Sequence, residues 1–144
     1  MPAPKSILVI CTGNICRSPM AEAILQKAFP QVQVSSAGLA AVSDAKAHDF
    51  ALTVMNDLQI DISAHVARQI TPEIAKSAEL VLVMTTRQKE AMEARFPWTK
   101  GRVFRLGEWD RFDIDDPMGL GLETFYRVRQ LIEQTCQSWV KRLA

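Results

Sequence analysis

The run Ile7-Leu8-Val9-Ile10-Cys11-Thr12-Gly13-Asn14-Ile15-Cys16-Arg17-Ser18-Pro19 holds a strand, a loop and a helix start in thirteen residues. Residues Ile7 to Ile10 are all aliphatic and mostly β-branched, which suits a strand buried on both faces. Ser18 is an N-cap residue type and Pro19 fits the first helical position, so a helix is expected from Ser18 to Phe29. Its apolar face would be Ala21, Ile24, Leu25 and Ala28. Glu22 falls one residue late for a capping box, leaving only the simple serine cap.

The same alternation continues outward. Val32 to Ala37 reads as a second strand ended by Gly38, and Phe50, Ala51, Val54, Met55 and Leu58 mark an amphipathic helix. Thr71-Pro72-Glu73 opens a short helix, Leu80 to Met84 is a further buried strand, and Thr86 to Phe96 a helix stopped at Pro97. Val103 to Leu106 is a weaker strand. Phe125, Val128, Ile132, Cys136, Trp139 and Leu143 define a long last helix. Strands alternating with helices imply an α/β fold: one three-layer domain over residues 1–144, a parallel sheet covered by helices on both faces. Ligands in such folds bind beyond the carboxyl ends of the strands, which directs attention to the loop after the first one.

Composition narrows the class. The chain has 144 residues, 48% hydrophobic and 23% charged, the balance of a globular domain and not of a disordered chain. Lys+Arg 17 against Asp+Glu 16 leaves a net charge of +1, with no global attraction to nucleic acid or membrane. Three cysteines, an odd number, argue against a disulfide scaffold and for a reducing compartment. Met1 to Lys5 does not resemble a signal peptide, and no window reaches the roughly 18 apolar residues of a membrane span. A cytoplasmic protein without membrane insertion is expected.

Cys11 and Arg17 bracket five residues between the strand and the helix. Gly13 and Asn14 can adopt left-handed conformations that turn successive N–H groups inward, and the next helix presents its positive end to the same point. Arg17 adds a planar fork of donors matched to phosphate oxygens. Dipoles that hold a phosphate also favour a thiolate, making Cys11 a candidate nucleophile, with Ser18 placed to donate to its sulfur. The plain alternative, a core cysteine and a surface arginine, ignores the strand before and the helix start after. A Walker loop is excluded, since no Gly-Lys-Ser/Thr ending is present.

The stretch from Val9 to Glu22, with Ser36-Ala37-Gly38, His65-x-Ala67-Arg68-Gln69 and Asp116-Pro117 in the same order, resembles the low-molecular-weight protein tyrosine phosphatases. The likeness is closest to the bacterial branch that partners tyrosine autokinases of exopolysaccharide export. It implies a four-stranded parallel sheet and a phosphocysteine mechanism without metal or cofactor. It also implies a phosphotyrosine protein substrate, an autokinase as the bacterial partner, and a monomer or weak self-association. Residues Thr12 to Cys16 with Ser18 would bind the phosphate.

Phosphotyrosine hydrolysis expels a phenolate whose conjugate acid has a pKa of about 10, so a general acid is needed. Asp116 matches the family's acid; Pro117 after it restricts its backbone, and Asp115 disfavours a second negative charge beside it. The resemblance gives Ser36 and His65 as partners of Asn14; without it, His65 would pass for an ordinary core or surface histidine. The pocket wall departs from the family, which often places aromatics after Asp-Pro or a tryptophan after the second strand. Here Met118-Gly119 and the stretch Ala40-Ala41-Val42 stand there, with Ala41, Val42 and Met118 taken as the wall and Asp44 and Lys46 at the rim, while Trp98 and Trp109 read as packing residues. Cys16 is either a buried spacer or a reversible redox partner for Cys11, and Cys136 is core.

Three other functions share parts of this pattern. Arsenate reductases of this fold use further cysteines after the third strand, and Met84 to Arg95 has none. Protein arginine phosphatases resemble the loop but carry threonine where Ile15 stands. A non-catalytic phosphopeptide module would have no use for both Cys11 and Asp116. With His48 and His65 as the only histidines and no cysteine pair at zinc spacing, no metal site is expected.

Overall fold

A computed structural model describes residues 2–143, so Met1 and Ala144, the ends of the expected 1–144 unit, lie outside the described residues. Strands β1 (Ser6–Cys11), β2 (Gln33–Gly38), β3 (Leu80–Val83) and β4 (Val103–Arg105) form one parallel sheet in the order β2-β1-β3-β4. The helices are α1 (Arg17–Ala28), α2 (Asp49–Asn56), α3 (Pro72–Ser77), α4 (Thr86–Arg95) and α5 (Leu122–Leu143). A 3-10 turn at Pro97–Thr99 follows α4.

Strand alternation divides the core. Ile7, Val9 and Cys11 of β1, with Leu80 and Leu82 of β3, face α1, α2 and α5; Leu8, Ile10, Val81 and Val83 face α3 and α4. Covered on both faces, β1 and β3 are apolar without a polar alternate, which is why they read as unbroken aliphatic runs. Their shared carboxyl edge, where β1 turns into the Cys11 loop, lies where the sheet order reverses direction from β1 to its two neighbours.

Four expectations need correction. Helix α1 begins at Arg17, its N-cap Cys16 makes no side-chain cap bond, and Ser18 lies inside the first turn with its hydroxyl committed elsewhere. Ala28 is exposed; the packed face is Met20, Ala21 and Leu25, because α1 lies over the sheet through its N-terminal turns. Leu58 falls beyond the end of α2 but packs on the core. Gly13 is not among the residues with positive φ; only Asn14 of that loop is left-handed, at φ 59°.

Candidate active site

The loop from Thr12 to Cys16 is held from outside by its carbonyls. Cys11 O accepts from Leu39 N–H, Thr12 O from Ala40, Gly13 O from Val42 and Ile15 O from His48, at 2.8–3.0 Å. Asn14 O faces His65 Nε2 at 2.7 Å. In a trans peptide the N–H points opposite the carbonyl, so outward carbonyls turn the following N–H groups inward. Among the described residues, the N–H groups of Gly13, Asn14, Ile15 and Cys16 have no backbone acceptor. The loop is therefore a concave row of donors at the start of α1, a site built for an anion.

Close approach makes this anchoring possible. β2 ends opposite Cys11 at Gly38, where a Cβ would stand 2.5 Å from Thr12 O. Any larger residue would push the 39–42 segment off the loop it braces. Gln69 clamps the same segment, its Oε1 accepting from Ala41 N–H and its Nε2 donating to Leu39 O.

Asn14 is the hub beneath the loop. Its Oδ1 accepts from Arg68 N–H at 3.0 Å, which orients the amide and leaves both amide protons to donate. One goes to Ser36 Oγ at 3.0 Å and the other to Ser18 Oγ at 2.7 Å. Ser36 passes its own proton to Glu22 Oε1 at 2.5 Å. Ser18 Oγ lies 2.9 Å from Cys11 Sγ. Donation thus runs outward from Asn14 along two branches, through Ser18 toward the cysteine and through Ser36 to a carboxylate on α1.

Arg17 is 3% exposed. Its Nη1 donates to Ile114 O at 2.8 Å, its Nη2 lies 3.7 Å from Asp116 Oδ2, and its Nε has no protein acceptor. A buried guanidinium nitrogen bonded to no protein atom is a donor available to an anion. Asp116 is half-exposed at the cavity mouth, and its Oδ1 accepts from Met118 N–H in a turn over Pro117.

These groups line one cavity of about 200 Å³: Cys11, Thr12, Gly13, Arg17 and Asp116 at the polar end, with Ile15, Cys16, Ala40, Val42 and Met118 as apolar wall. Ala41 does not line it; its N–H turns away to Gln69 and Ala40 takes the place expected of it. Asp44 and Lys46 are not lining residues either, since Asp44 turns back at φ 70° and its N–H bonds Ala67 O. Trp98 packs at a tilt on Phe96 and Trp109 edge-on to Trp139, and neither lines the cavity. A larger hollow of about 560 Å³ lies between α1 and α5, and the thiol on its wall belongs to Cys136. That thiol is buried, and burial pushes its pKa upward, which makes it inert.

Burial pushes the Cys16 thiol up to about 12, reinforced by the negative charges of Cys11 and Asp116 and only partly opposed by Arg17. Cys16 Sγ sits 4.0 Å from Met118 Sδ. Sequence reasoning missed Gln88, whose Nε2 donates to Thr12 Oγ1 at 3.1 Å while its Oε1 accepts from Met84 N–H. Its only sequence signal was its place in the first turn of α4, beside the carboxyl edge of β3. It also passed over Glu22 as a failed cap, and that residue is the last acceptor of the Asn14 network. Among the described residues no group of three or more His, Cys, Asp or Glu could hold a metal ion, and no helix is long and apolar enough to cross a membrane.

Comparison with known proteins matches residues 6–144 to the family model described as low molecular weight phosphotyrosine protein phosphatase. A relative from Ralstonia solanacearum, the probable low molecular weight protein-tyrosine-phosphatase EpsP, is 47% identical over 139 residues, covering 96% of each chain. The crystal structure of the tyrosine phosphatase Wzb from Escherichia coli K30 with sulphate superposes at a TM-score of 0.95. It is 34% identical, with 98% of this chain and 99% of that one covered. The YwlE arginine phosphatase from Geobacillus stearothermophilus superposes at 0.91, with 35% identity over 96% of this chain and 92% of that one.

Proposed function

The chain belongs to the low molecular weight phosphotyrosine protein phosphatase family, and from that premise we propose that it hydrolyses protein phosphotyrosine through a phosphocysteine on Cys11. In the first step Cys11 Sγ attacks phosphorus as the bond to the tyrosine oxygen breaks. Arg17 and the inward N–H groups of the loop bind the three equatorial oxygens, whose charge is greatest in the transition state. Asp116 gives its proton to the departing phenolate. In the second step water attacks phosphorus, Asp116 takes the water's proton, and the S–P bond breaks to release phosphate and the thiolate. Ser18 donates to that sulfur as it leaves. The reading rests above all on the hydrogen-bond chain that aims the Ser18 hydroxyl at Cys11 beneath an anion cradle.

The resemblance to the bacterial branch makes a tyrosine autokinase and its exopolysaccharide-export substrates the proposed targets. The likeness to an arginine phosphatase supports a second reading. Against it stands Ile15, a branched hydrocarbon in the cavity wall, better matched to an aryl ester than to a guanidinium phosphoramidate. Assay of the purified protein against phosphotyrosine, phosphoarginine and arsenate, with acid-quenched trapping of the phosphoenzyme, tests all of this together. Phosphotyrosine turnover with a trapped adduct absent from Cys11→Ser is expected. Preferential turnover of phosphoarginine would overturn the choice of substrate, and full activity of Cys11→Ser would overturn the mechanism.

A further inference from the structure

A second groove of about 350 Å³ opens beside the catalytic cavity and shares Thr12, Arg17 and Asp116 with it as common walls. Its far side is the face of α4 bearing Arg87, Ala91 and Arg95, spaced four residues apart. That spacing stacks them in a row, with about 12 Å between the outer two along the helix axis and a small residue between. Both arginines are exposed, and neither makes an ion pair among the described residues. Arg95 Nη1 donates to Leu39 O, leaving its other donors free, and Arg87 has no hydrogen-bond partner among the described residues. The acids of the same helix, Glu90 and Glu93, do not line the groove. Asp115 does, beside Asp116 on the opposite wall.

On a chain of net charge +1, two unpaired guanidiniums on one groove wall next to the catalytic arginine are a local concentration of positive charge. A phosphotyrosine seated on the Cys11 loop would lead its peptide chain out past Thr12 and Asp116, over the mouth of this groove. An extended chain advances about 3.3 Å per residue, so side chains within a few positions of the phosphotyrosine come level with Arg87 and then Arg95. We propose that this groove is a subsite for an acidic group, a carboxylate or a second phosphate, close in sequence to the phosphotyrosine of the substrate. Arg87 is its primary contact and Arg95 its outer one. The inference rests on the phosphatase reading and adds to it the class of substrate. Asp115 repels a second anion from the opposite wall, which places the acidic group on the α4 side.

The test compares kcat/KM for phosphotyrosine peptides whose flanking residues are neutral, glutamate, lysine or a second phosphotyrosine, with para-nitrophenyl phosphate as an independent measure of phosphatase activity. Acidic peptides should exceed neutral ones by about three- to tenfold, chiefly through KM, with the margin shrinking as salt is raised. Arg87→Ala should reduce the ratio of acidic to neutral peptide by about two- to fivefold, and Arg87→Glu should shift preference toward the lysine peptide. Glutamate and phosphotyrosine acting alike would identify a carboxylate as sufficient; an effect of the second phosphate alone would identify phosphate as the ligand. Equal kcat/KM for all peptides in an enzyme active on para-nitrophenyl phosphate overturns the subsite, as does an unchanged ratio in Arg87→Glu. Inactivity on para-nitrophenyl phosphate would instead count against the phosphatase reading. The same peptides binding to Cys11→Ser, followed by fluorescence anisotropy, then decide the subsite without turnover: equal affinities overturn it, tighter binding of acidic peptides supports it.

Discussion

The Ser18 hydroxyl lies 2.9 Å from Cys11 Sγ, and Asn14 Nδ2 donates to its oxygen, which leaves its proton free for the sulfur; a thiolate there can only accept it. Asn14 cannot reverse its amide without losing Arg68 N–H, and Ser36 cannot take its place without breaking from Glu22. The polarity of the whole network is set by two fixed ends, a backbone donor and a carboxylate. The thiolate at the far end would receive this hydrogen bond before attack and again as the S–P bond breaks.

Ser18→Ala removes that donor while Asn14 keeps Ser36. A hydrogen bond to a charged group contributes about 1.5–3 kcal/mol, so kcat should fall roughly tenfold to a hundredfold. The loss should fall on the step in which sulfur is the leaving group. Rapid-mix kinetics should then show a burst of phenol ahead of steady phosphate release. A variant with wild-type kcat would remove Ser18 from the mechanism.

Asp116→Asn keeps an oxygen to accept Met118 N–H but has no proton to give. Turnover of phosphotyrosine should fall by about 10²–10³. Aryl phosphates with more acidic phenols should lose progressively less, giving a steep dependence of kcat on leaving-group acidity. An equal loss across the series would mean that Asp116 acts only by holding the loop, and Asp115→Asn would become the next variant to measure.

What could be read from the chain followed from strong local constraints. The runs at 7–10 and 80–83 are apolar on both faces because the sheet is buried on both, so these strands and the three-layer arrangement were legible together. Cys11 and Arg17 stood out by their strand-loop-helix setting and Asp116 by its Asp-Pro pair and the family resemblance, and one cavity holds all three. Ser18 misled as a cap, since a serine before a proline has the same appearance whether its hydroxyl turns to the helix or to a sulfur. Gln88, Gln69 and Gly38 act across 76, 30 and 26 residues of chain on Thr12, Leu39 and Thr12 respectively, and contacts of that range leave no local pattern. Ala40 and Ala41 are the same residue type, and only the turn of the backbone tells which faces the cavity.

Gln88 couples the carboxyl end of β3 to the phosphate loop. Gln88→Met preserves bulk but leaves Met84 N–H buried without an acceptor, and should lower stability by about 1–3 kcal/mol. Thr12→Val cuts only the loop end of the same contact. Both should raise KM for aryl phosphates several-fold, with the stability loss confined to Gln88→Met in urea titrations. If Thr12→Val leaves KM unchanged, the glutamine serves the fold alone.

Asp113 holds the segment leading to Asp116. Partial burial works to raise its pKa, but the Thr86 N–H, the Arg105 guanidinium and the Thr86 hydroxyl hold it below the ordinary carboxylate value. A depressed folded pKa means the unfolded chain binds the proton first. The contribution is therefore complete above the unfolded value of about 3.9 and is lost as pH falls through the folded one. Wild type should exceed Asp113→Asn in stability at pH 5–7, and the gap should close toward pH 3 in urea titrations. A gap independent of pH would locate the effect in packing.

Cys16 lines the same cavity as Cys11, and the sequence leaves it either a buried spacer or a resolving thiol for a Cys11 sulfenic acid. Its chemistry sets a condition on that role. With its pKa pushed up to about 12, mainly by burial, only ~10⁻⁵ of it is thiolate at neutral pH, and the thiolate is the attacking form. Oxidation of Cys11 removes one of the neighbouring charges that raise the value, but the larger contribution from burial stays. Disulfide formation should therefore compete poorly with further peroxide oxidation near pH 6.5 and better near pH 8.5. After a peroxide pulse, activity recovered with dithiothreitol should rise with pH in the wild type. In Cys16→Ser recovery should be low at both values, because no thiol is left to intercept the sulfenic acid. Equal recovery in the two proteins would make Cys16 a packing residue against Met118. Recovery in the wild type without dependence on pH would show that the loop rearranges on oxidation and brings the Cys16 thiol into water.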